Sequence, residues 1–264
     1  MTYSSPTALG GLAAVLLAMS ACHPDQPATQ LPAETQATTS TAASSTTASP
    51  ADTLHLPGGV VAQLRPTTMA AFDRLPMSGL PDVPNDSTAE HLPAEQGRIT
   101  RQGLDLLLRP AQGPAVRLAS TPEAQFTLEN AKGVKYQYWG SLPAAHQWVV
   151  RAWYWEASGT VLVDQRTGHH LELVGDPVAS PDGRRVLLNS PGVGGGDQAN
   201  MLSLVEIADD GPRLRWQREP TAWEPMEARW AAPDRAIIMR RHTLPDGSMA
   251  DDARVTYDEL TLPR

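Results

Sequence analysis

The sequence predicts an all-β protein, a propeller-like stack of antiparallel hairpins set behind a disordered N-terminal tether. Three observations carry that expectation. The stretch from Tyr136 to Asp176 reads YQYWG, QWVVRAWYWEAS, TVLVDQRTG and HHLELVGD, and it holds Trp139, Trp148, Trp153 and Trp155, four of the chain's seven tryptophans. Short β-branched and aromatic runs broken by Gly, Asp and Ser are the pattern of strands and turns. Similar pieces recur further on, with Pro181 and Pro233 lying 52 residues apart. Finally, 24 Pro and 20 Gly make up a sixth of the 264 residues, the composition of a turn-rich chain with an unstructured lead-in.

In chain order, residues 8–21 (ALGGLAAVLLAMSA) form an uncharged apolar run that ends in small residues before Cys22. The run is shorter than the roughly 20 residues that span a bilayer, and it suits the apolar region of a secretory signal. Cys22 is the single cysteine, so no internal disulfide can form. Met19-Ser20-Ala21-Cys22 resembles the lipobox of bacterial lipoproteins. That resemblance implies acylation of Cys22, a membrane anchor and a place in the cell envelope. His23, standing where an Asp would signal retention, implies the outer membrane rather than the inner. An ordinary secretory signal cleaved near Ala21 is the alternative.

Residues 22–52 read as a linker. No aromatic residue occurs from Pro24 to Pro50, and TQATTSTAASSTTASP is almost wholly Thr, Ser and Ala. Such a segment cannot bury enough apolar surface to offset the entropy of ordering it, and is expected to act as a flexible stalk. Asp52-Thr53-Leu54 and Asp86-Ser87-Thr88 resemble the short acceptor motif for O-linked glycans of bacterial envelope proteins.

The β-repeat region is expected from 53 to 264, most clearly from 134 onward. Residues 54–64 (LHLPGGVVAQL) supply one or two strands around Gly58-Gly59, and 66–96 are rich in Pro, Asp and Ser with few apolar points. GLDLLLR and AVRLA follow as strand candidates, with a helix over Leu104 to Arg109 as the alternative to the first. AQFTLEN (residues 124–130) alternates and reads as a further strand.

Three segments then share one plan: 147–168, 178–211 and 229–262. Ser180-Pro181-Asp182-Gly183 and Ala232-Pro233-Asp234 hold equivalent places in the second and third, and MLSLVEI and RVTYDEL begin 53 residues apart. A hairpin unit repeating every 40 to 50 residues or so is the signature of propeller blades. Pro181 presets φ at the first central turn position, Asp182 can bond its own backbone and Gly183 accepts positive φ. Three repeats fall short of the four or so blades of a closed propeller. Residues 54–130 must supply a fourth, or the stack stays open.

SPDGRRVLL resembles the core of the WD40-like repeats of TolB-type β-propellers, and WAAPDRAIIM is a degraded copy with Arg235 in the place of the glycine. The order of a Tyr/Trp-rich strand (Tyr136 to Gly140), a D-x-x-T-G turn (Asp164 to Gly168) and the SPDG turn is similar to that in uncharacterised bacterial envelope lipoproteins. The resemblance covers about residues 130–264 and implies structure rather than chemistry.

Composition narrows the function classes. A net charge of −8, with Arg184-Arg185 and Arg240-Arg241 as isolated basic pairs, argues against a nucleic-acid partner. His169-His170 at a strand start would point to opposite faces, which disfavours a shared metal ion. Asp246-Gly247-Ser248 with Asp251-Asp252 lacks the spacing of a calcium loop. Gly192 to Gly196 (GVGGG) lacks the Lys-Ser/Thr of a phosphate loop. No Gly-x-Ser-x-Gly elbow occurs, so no cofactor and no catalytic residue is assigned. Trp153 and Trp155, two apart, are expected on one strand face with Tyr154 on the other, as a platform for a glycan or peptide or as packing between blades. The expectation is a non-enzymatic, envelope-tethered module that binds or scaffolds a protein or another envelope component. The alternatives are a carbohydrate-directed binder or hydrolase with paired carboxylates in an aromatic groove, and a purely structural lipoprotein.

Overall fold

Alternating side chains organise this chain into four antiparallel sheets. The computed structural model describes residues 52–56, 59–82, 92, 97–192, 198–250 and 252–263. The expected signal segment, Cys22, His23, the linker as far as Ala51, Asp86-Ser87-Thr88, Asp251 and most of the GVGGG run lie outside the described residues. The chain is described from β1 (Asp52–Leu56) and β2 (Val60–Pro66), followed by the one-turn helix α1 (Met69–Asp73). β3 (Ile99–Gln102), β4 (Asp105–Leu108) and β5 (Val116–Ala119) form the first sheet. β6 (Lys135–Leu142), β7 (Gln147–Trp153), β8 (Ser158–Asp164) and β9 (His170–Leu173) form the second. β10 (Asp176–Ala179), β11 (Arg185–Ser190), β12 (Met201–Ala208) and β13 (Gly211–Arg218) form the third. The fourth combines β14 (Trp223–Ala232), β15 (Arg235–His242) and β16 (Val255–Thr261) with the first two strands, in the order β1-β2-β16-β15-β14.

Period-two alternation sends the two faces of each inner sheet into different cores. In β7, Trp148, Val150 and Ala152 pack with Ile99, Leu106, Leu108, Val116 and Leu118 of the first sheet, while Val149 turns to the other side. There it meets Leu162, together with Val186, Leu188 and Val205 of the third sheet. Leu187, between Val186 and Leu188, faces the fourth sheet with Val178, Leu202, Leu204 and Trp216. Three apolar clusters thus lie between four successive sheets: first with second, second with third, third with fourth. The sheets meet through side chains, the described residues form no closed barrel, and together they make an open, repeat-like β stack.

The far face of the fourth sheet is met by α1. Helix α1 is too short to persist alone. Thr68 Oγ1 caps it by accepting from the Ala71 amide at 3.2 Å. Phe72 anchors it, tilted against Tyr257 with ring centroids 5.2 Å apart and with the Arg229 guanidinium 4.2 Å from its own centroid. Arg229 also donates to the Phe72 and Leu75 carbonyls, each at 3.4 Å.

Residues 104–109 follow the strand reading rather than the helical alternative: β4 lies between β3 and β5, where Leu106 and Leu108 gain a buried face. Two local expectations change. Residues 124–130 form no strand. Glu123–Gln125 is a single 3-10 turn, and the Asn130 side chain donates to the Gln125 carbonyl at 2.8 Å, which closes the segment into a local loop with no partner strand. Finally, β7 ends at Trp153, because the Tyr154 amide turns back to the Ala157 carbonyl at 2.9 Å to close the β7–β8 hairpin. Trp155 therefore lies in the turn rather than two places along one strand face.

Candidate functional site: a cleft at the strand edges

β6, β10 and β14 lie at sheet edges. A cleft of about 700 Å³ opens beside them. Its walls are Trp139 of β6, Asp176, Pro177 and Val178 of β10, Asn189 of β11, and Met226, Glu227 and Ala228 of β14. The segment Met77–Asp82, which follows α1, closes one side. The size falls within the range of roughly 300 to 1,000 Å³ found for ligand pockets, and an apolar wall set with a few polar groups is the usual character of such sites.

Each polar group in this wall is positioned by a partner. Trp139 donates through Nε1 to the Pro81 carbonyl at 2.8 Å, which fastens the 77–82 segment to β6. Arg151 of β7 stacks on the same indole, its guanidinium 4.2 Å from the ring centroid, and pairs with Asp176 at 2.8 Å. The Arg151 side chain is only 7% exposed and that of Asp176 is 54% exposed, so the cation forms a buried backing and the carboxylate reaches the solvent side. Asn189 Nδ2 donates to the Met226 carbonyl at 3.0 Å and ties the third sheet to the fourth. Glu227 pairs with Arg229 at 2.7 Å, and the same arginine holds α1. The wall can offer a peptide or small molecule apolar contact from Met226, Pro177 and Val178, with carboxylates at Asp176 and Glu227.

The turns singled out in the sequence meet at a second groove of about 490 Å³, lined by Asp182, Arg184, Arg185, Glu206, Pro233 and Asp234. Ser180–Gly183 links β10 to β11, and Pro233-Asp234 links β14 to β15, so both join an edge strand to its neighbour. In the first turn Ser180 Oγ donates to Asp182 Oδ1 at 2.6 Å, and the Arg184 amide donates to the same oxygen at 3.2 Å. Burial pushes the Asp182 carboxyl up, but these hydrogen bonds outweigh it and hold the group below its ordinary range. Arg185 joins the two turns by donating to the Pro233 carbonyl at 3.3 Å. Both turns serve to connect strands.

The residues of the aromatic lead part company. Trp153 is half-buried and donates to Gln137 Oε1 at 3.0 Å. Tyr154 packs on the Trp148 side of the second sheet, and its hydroxyl donates to Glu172. Burial first, then Glu172, pushes the Tyr154 phenol far above its ordinary value, and the same two causes raise Tyr136. Trp155 stays 50% exposed and tilts against Phe126 at 5.8 Å. Phe126 is covered in turn by the Lys135 ammonium, 4.4 Å from its centroid.

His169 lies in the turn before β9 and His170 begins that strand. Asp246 Oδ1 accepts from the Ser248 amide and hydroxyl, at 2.9 and 2.7 Å, which closes its own turn. Among the described residues, no group of three or more His, Cys, Asp or Glu is placed to hold a metal ion.

Sequence reasoning did not single out Trp139, Arg151 or the 77–82 segment as partners. One signal was present: Arg151 interrupts the otherwise apolar QWVVRAW, and a buried arginine requires a partner. No family model matches the chain, and comparison with curated proteins and with solved structures finds no match either.

Proposed function

We propose that this chain is an envelope-tethered, non-enzymatic binding module whose cleft at the β6, β10 and β14 edges takes a protein segment or another envelope component. The single observation that carries the reading is the cleft itself: about 700 Å³, apolar on one wall and backed by the Arg151–Trp139–Asp176 assembly. A pocket of this size with fixed polar groups is suited to ligand capture. The tether belongs to the same proposal and rests on the Met19–Cys22 motif and the Thr/Ser/Ala run after it.

The test is site-specific photo-crosslinking in intact cells that express the full chain. A photoreactive residue at Met226, inside the cleft, is expected to give a discrete adduct. The same residue at Arg117, on the exposed side of the first sheet, is expected to give none. Ser78→Trp, which puts an indole in the cleft from its exposed side, should abolish the Met226 adduct. Equal labelling from both positions, or no adduct from Met226, overturns the reading.

A second reading has its own observation. Trp155, 50% exposed and backed by Phe126, offers an aromatic face of the kind that stacks on sugar rings. Quenching of Trp155 fluorescence by envelope glycans, absent in Trp155→Ala, would favour it.

A further inference from the structure

The segment Met77–Asp82 sits against the cleft as a ligand would. It is neither helix nor strand, and it is held to β6 at two points. One is the Trp139 indole N–H, which donates to the Pro81 carbonyl at 2.8 Å. The other is the Leu80 side chain, which packs against the cluster containing Trp139, Leu142 and Val149. The second contact needs an absent side chain. A Cβ on Gly140 would lie 2.8 Å from Leu80 Cδ2 and 3.3 Å from Pro81 Cδ, so the glycine makes the seat. The rest of the segment is lightly held. Met77 is 72% exposed, and Gly79 takes a φ of +76° as the chain turns into the seat.

Such a seat is selective. The indole donor needs a carbonyl, and a proline supplies one without bringing an N–H that would lack a partner. The hollow over Gly140 takes one branched apolar side chain just before that proline. β6 is an edge strand, the type of element along which extended peptides bind.

Resting on the binding reading above, we infer that the cleft takes an extended peptide in which a leucine-like residue precedes proline, and that the chain's own Leu80-Pro81 occupies that seat until such a peptide displaces it. A linked segment competes at an effective concentration on the order of millimolar, so the resting chain binds a peptide in trans weakly. Loosening the segment exposes the full affinity.

The experiment uses the full chain in detergent and a fluorescent peptide with the sequence of residues 76–82, PMSGLPD, read by anisotropy. Leu80→Ser in the chain is expected to tighten peptide binding at least tenfold over the unsubstituted chain. A peptide with Ser in place of its leucine is expected to lose at least tenfold on the Leu80→Ser chain. Trp139→Phe, which keeps the ring but removes the donor, is expected to weaken binding about fivefold with its melting curve retained. Equal binding by the unsubstituted and Leu80→Ser chains, or equal binding of the two peptides, overturns the inference. If the peptide fails while the Met226 adduct persists, the peptide class falls and the cleft reading stands. If the peptide binds and no adduct forms in cells, this inference holds and the envelope-binding reading falls.

Discussion

Gly183 and Ala144 approach so closely that a Cβ on the glycine would lie 1.7 Å from the Ala144 carbonyl oxygen. The contact joins the β10–β11 turn to the 3-10 turn that precedes β7, and so locks the third sheet against the second. Gly183 also has a φ of +70°. Gly183→Ala is therefore penalised twice, by conformation and by a backbone clash that cannot relax as a side chain would. It is expected to cost about 3 kcal/mol, at the upper end for single substitutions, read as a fall in Tm. Gly247→Ala, with φ of +84° and open space around it, isolates the conformational part and should cost about 1 kcal/mol.

The SPDG turn was legible because its chemistry is local. Pro, Asp and Gly each state a backbone requirement, and the run that follows alternates. The same holds for β6 through β9, where apolar alternation and turn residues coincide. The third and fourth sheets were legible as repeats, since the SPDG and APD turns connect corresponding strands. What was not legible depends on distant partners. Nothing in LHLPGGVVAQL says that β2 will pair with β16, nearly the whole domain later in sequence. Phe72 gives no sign that it will rest between Tyr257 and Arg229. AQFTLEN alternates like a strand but lacks an edge to join. Trp155 follows the period of β7 but falls after the hairpin has turned.

Arg240 and Asp258 form a buried pair between β15 and β16, 2.7 Å apart with side chains 7% and 3% exposed. Thr256 Oγ1 donates to the same carboxylate at 2.9 Å, and the Arg240 guanidinium lies 5.0 Å from the Trp223 ring centroid. Asp258→Ala leaves a buried cation without its main partner and should cost about 3 to 5 kcal/mol. Replacing both residues with leucine should recover much of that loss, because no uncompensated charge remains. A double-mutant cycle in urea checks both outcomes.

Asp164 predicts an acid response. Its buried carboxylate accepts from the Arg166 and Thr167 amides at 2.9 Å each, from the Arg166 guanidinium at 2.9 Å and from Gln147 at 3.1 Å. Burial pushes the group up, but the hydrogen bonds, led by Arg166, outweigh it and hold it below its ordinary value. A carboxyl depressed in the folded state contributes stability above its unfolded pKa of about 3.9, and that contribution is lost as pH falls through the folded value. Asp182 has the same sign. Denaturation midpoints are expected to fall steeply below about pH 4, and Asp164→Asn should flatten that slope while lowering stability at pH 7.

Tyr154 predicts the opposite limb. Its phenol is raised by burial and by the Glu172 carboxylate, so the neutral form is favoured in the folded protein. Its stabilising contribution is present below the ordinary tyrosine value of about 10 and is lost as pH rises beyond it. In a spectrophotometric titration Tyr154 should ionise last, at or beyond alkaline unfolding, with Tyr136 also late. Tyr154→Phe should remove the last phase, whereas Glu172→Gln should shift it to lower pH.

The fourth sheet makes the start of the domain as important to stability as its end. β1 and β2 precede the other strands, yet β2 pairs with β16, and Leu64 faces Leu260 across that register. Leu54, Leu64 and Leu260 lie in one cluster with Val178, Leu187 and Trp230, and each is at most 2% exposed. Removing a buried leucine side chain costs roughly 2 to 5 kcal/mol, depending on how far the cavity collapses. Leu54→Ala and Leu64→Ala should therefore destabilise the whole domain about as much as Leu260→Ala, rather than fray an end. Hydrogen exchange supplies the check. If β1 and β2 belong to the cooperative unit, the amides of Leu187 and Ile238 should lose protection in parallel in all three variants. Loss confined to residues 52–66 would mean that the first two strands are an appendage.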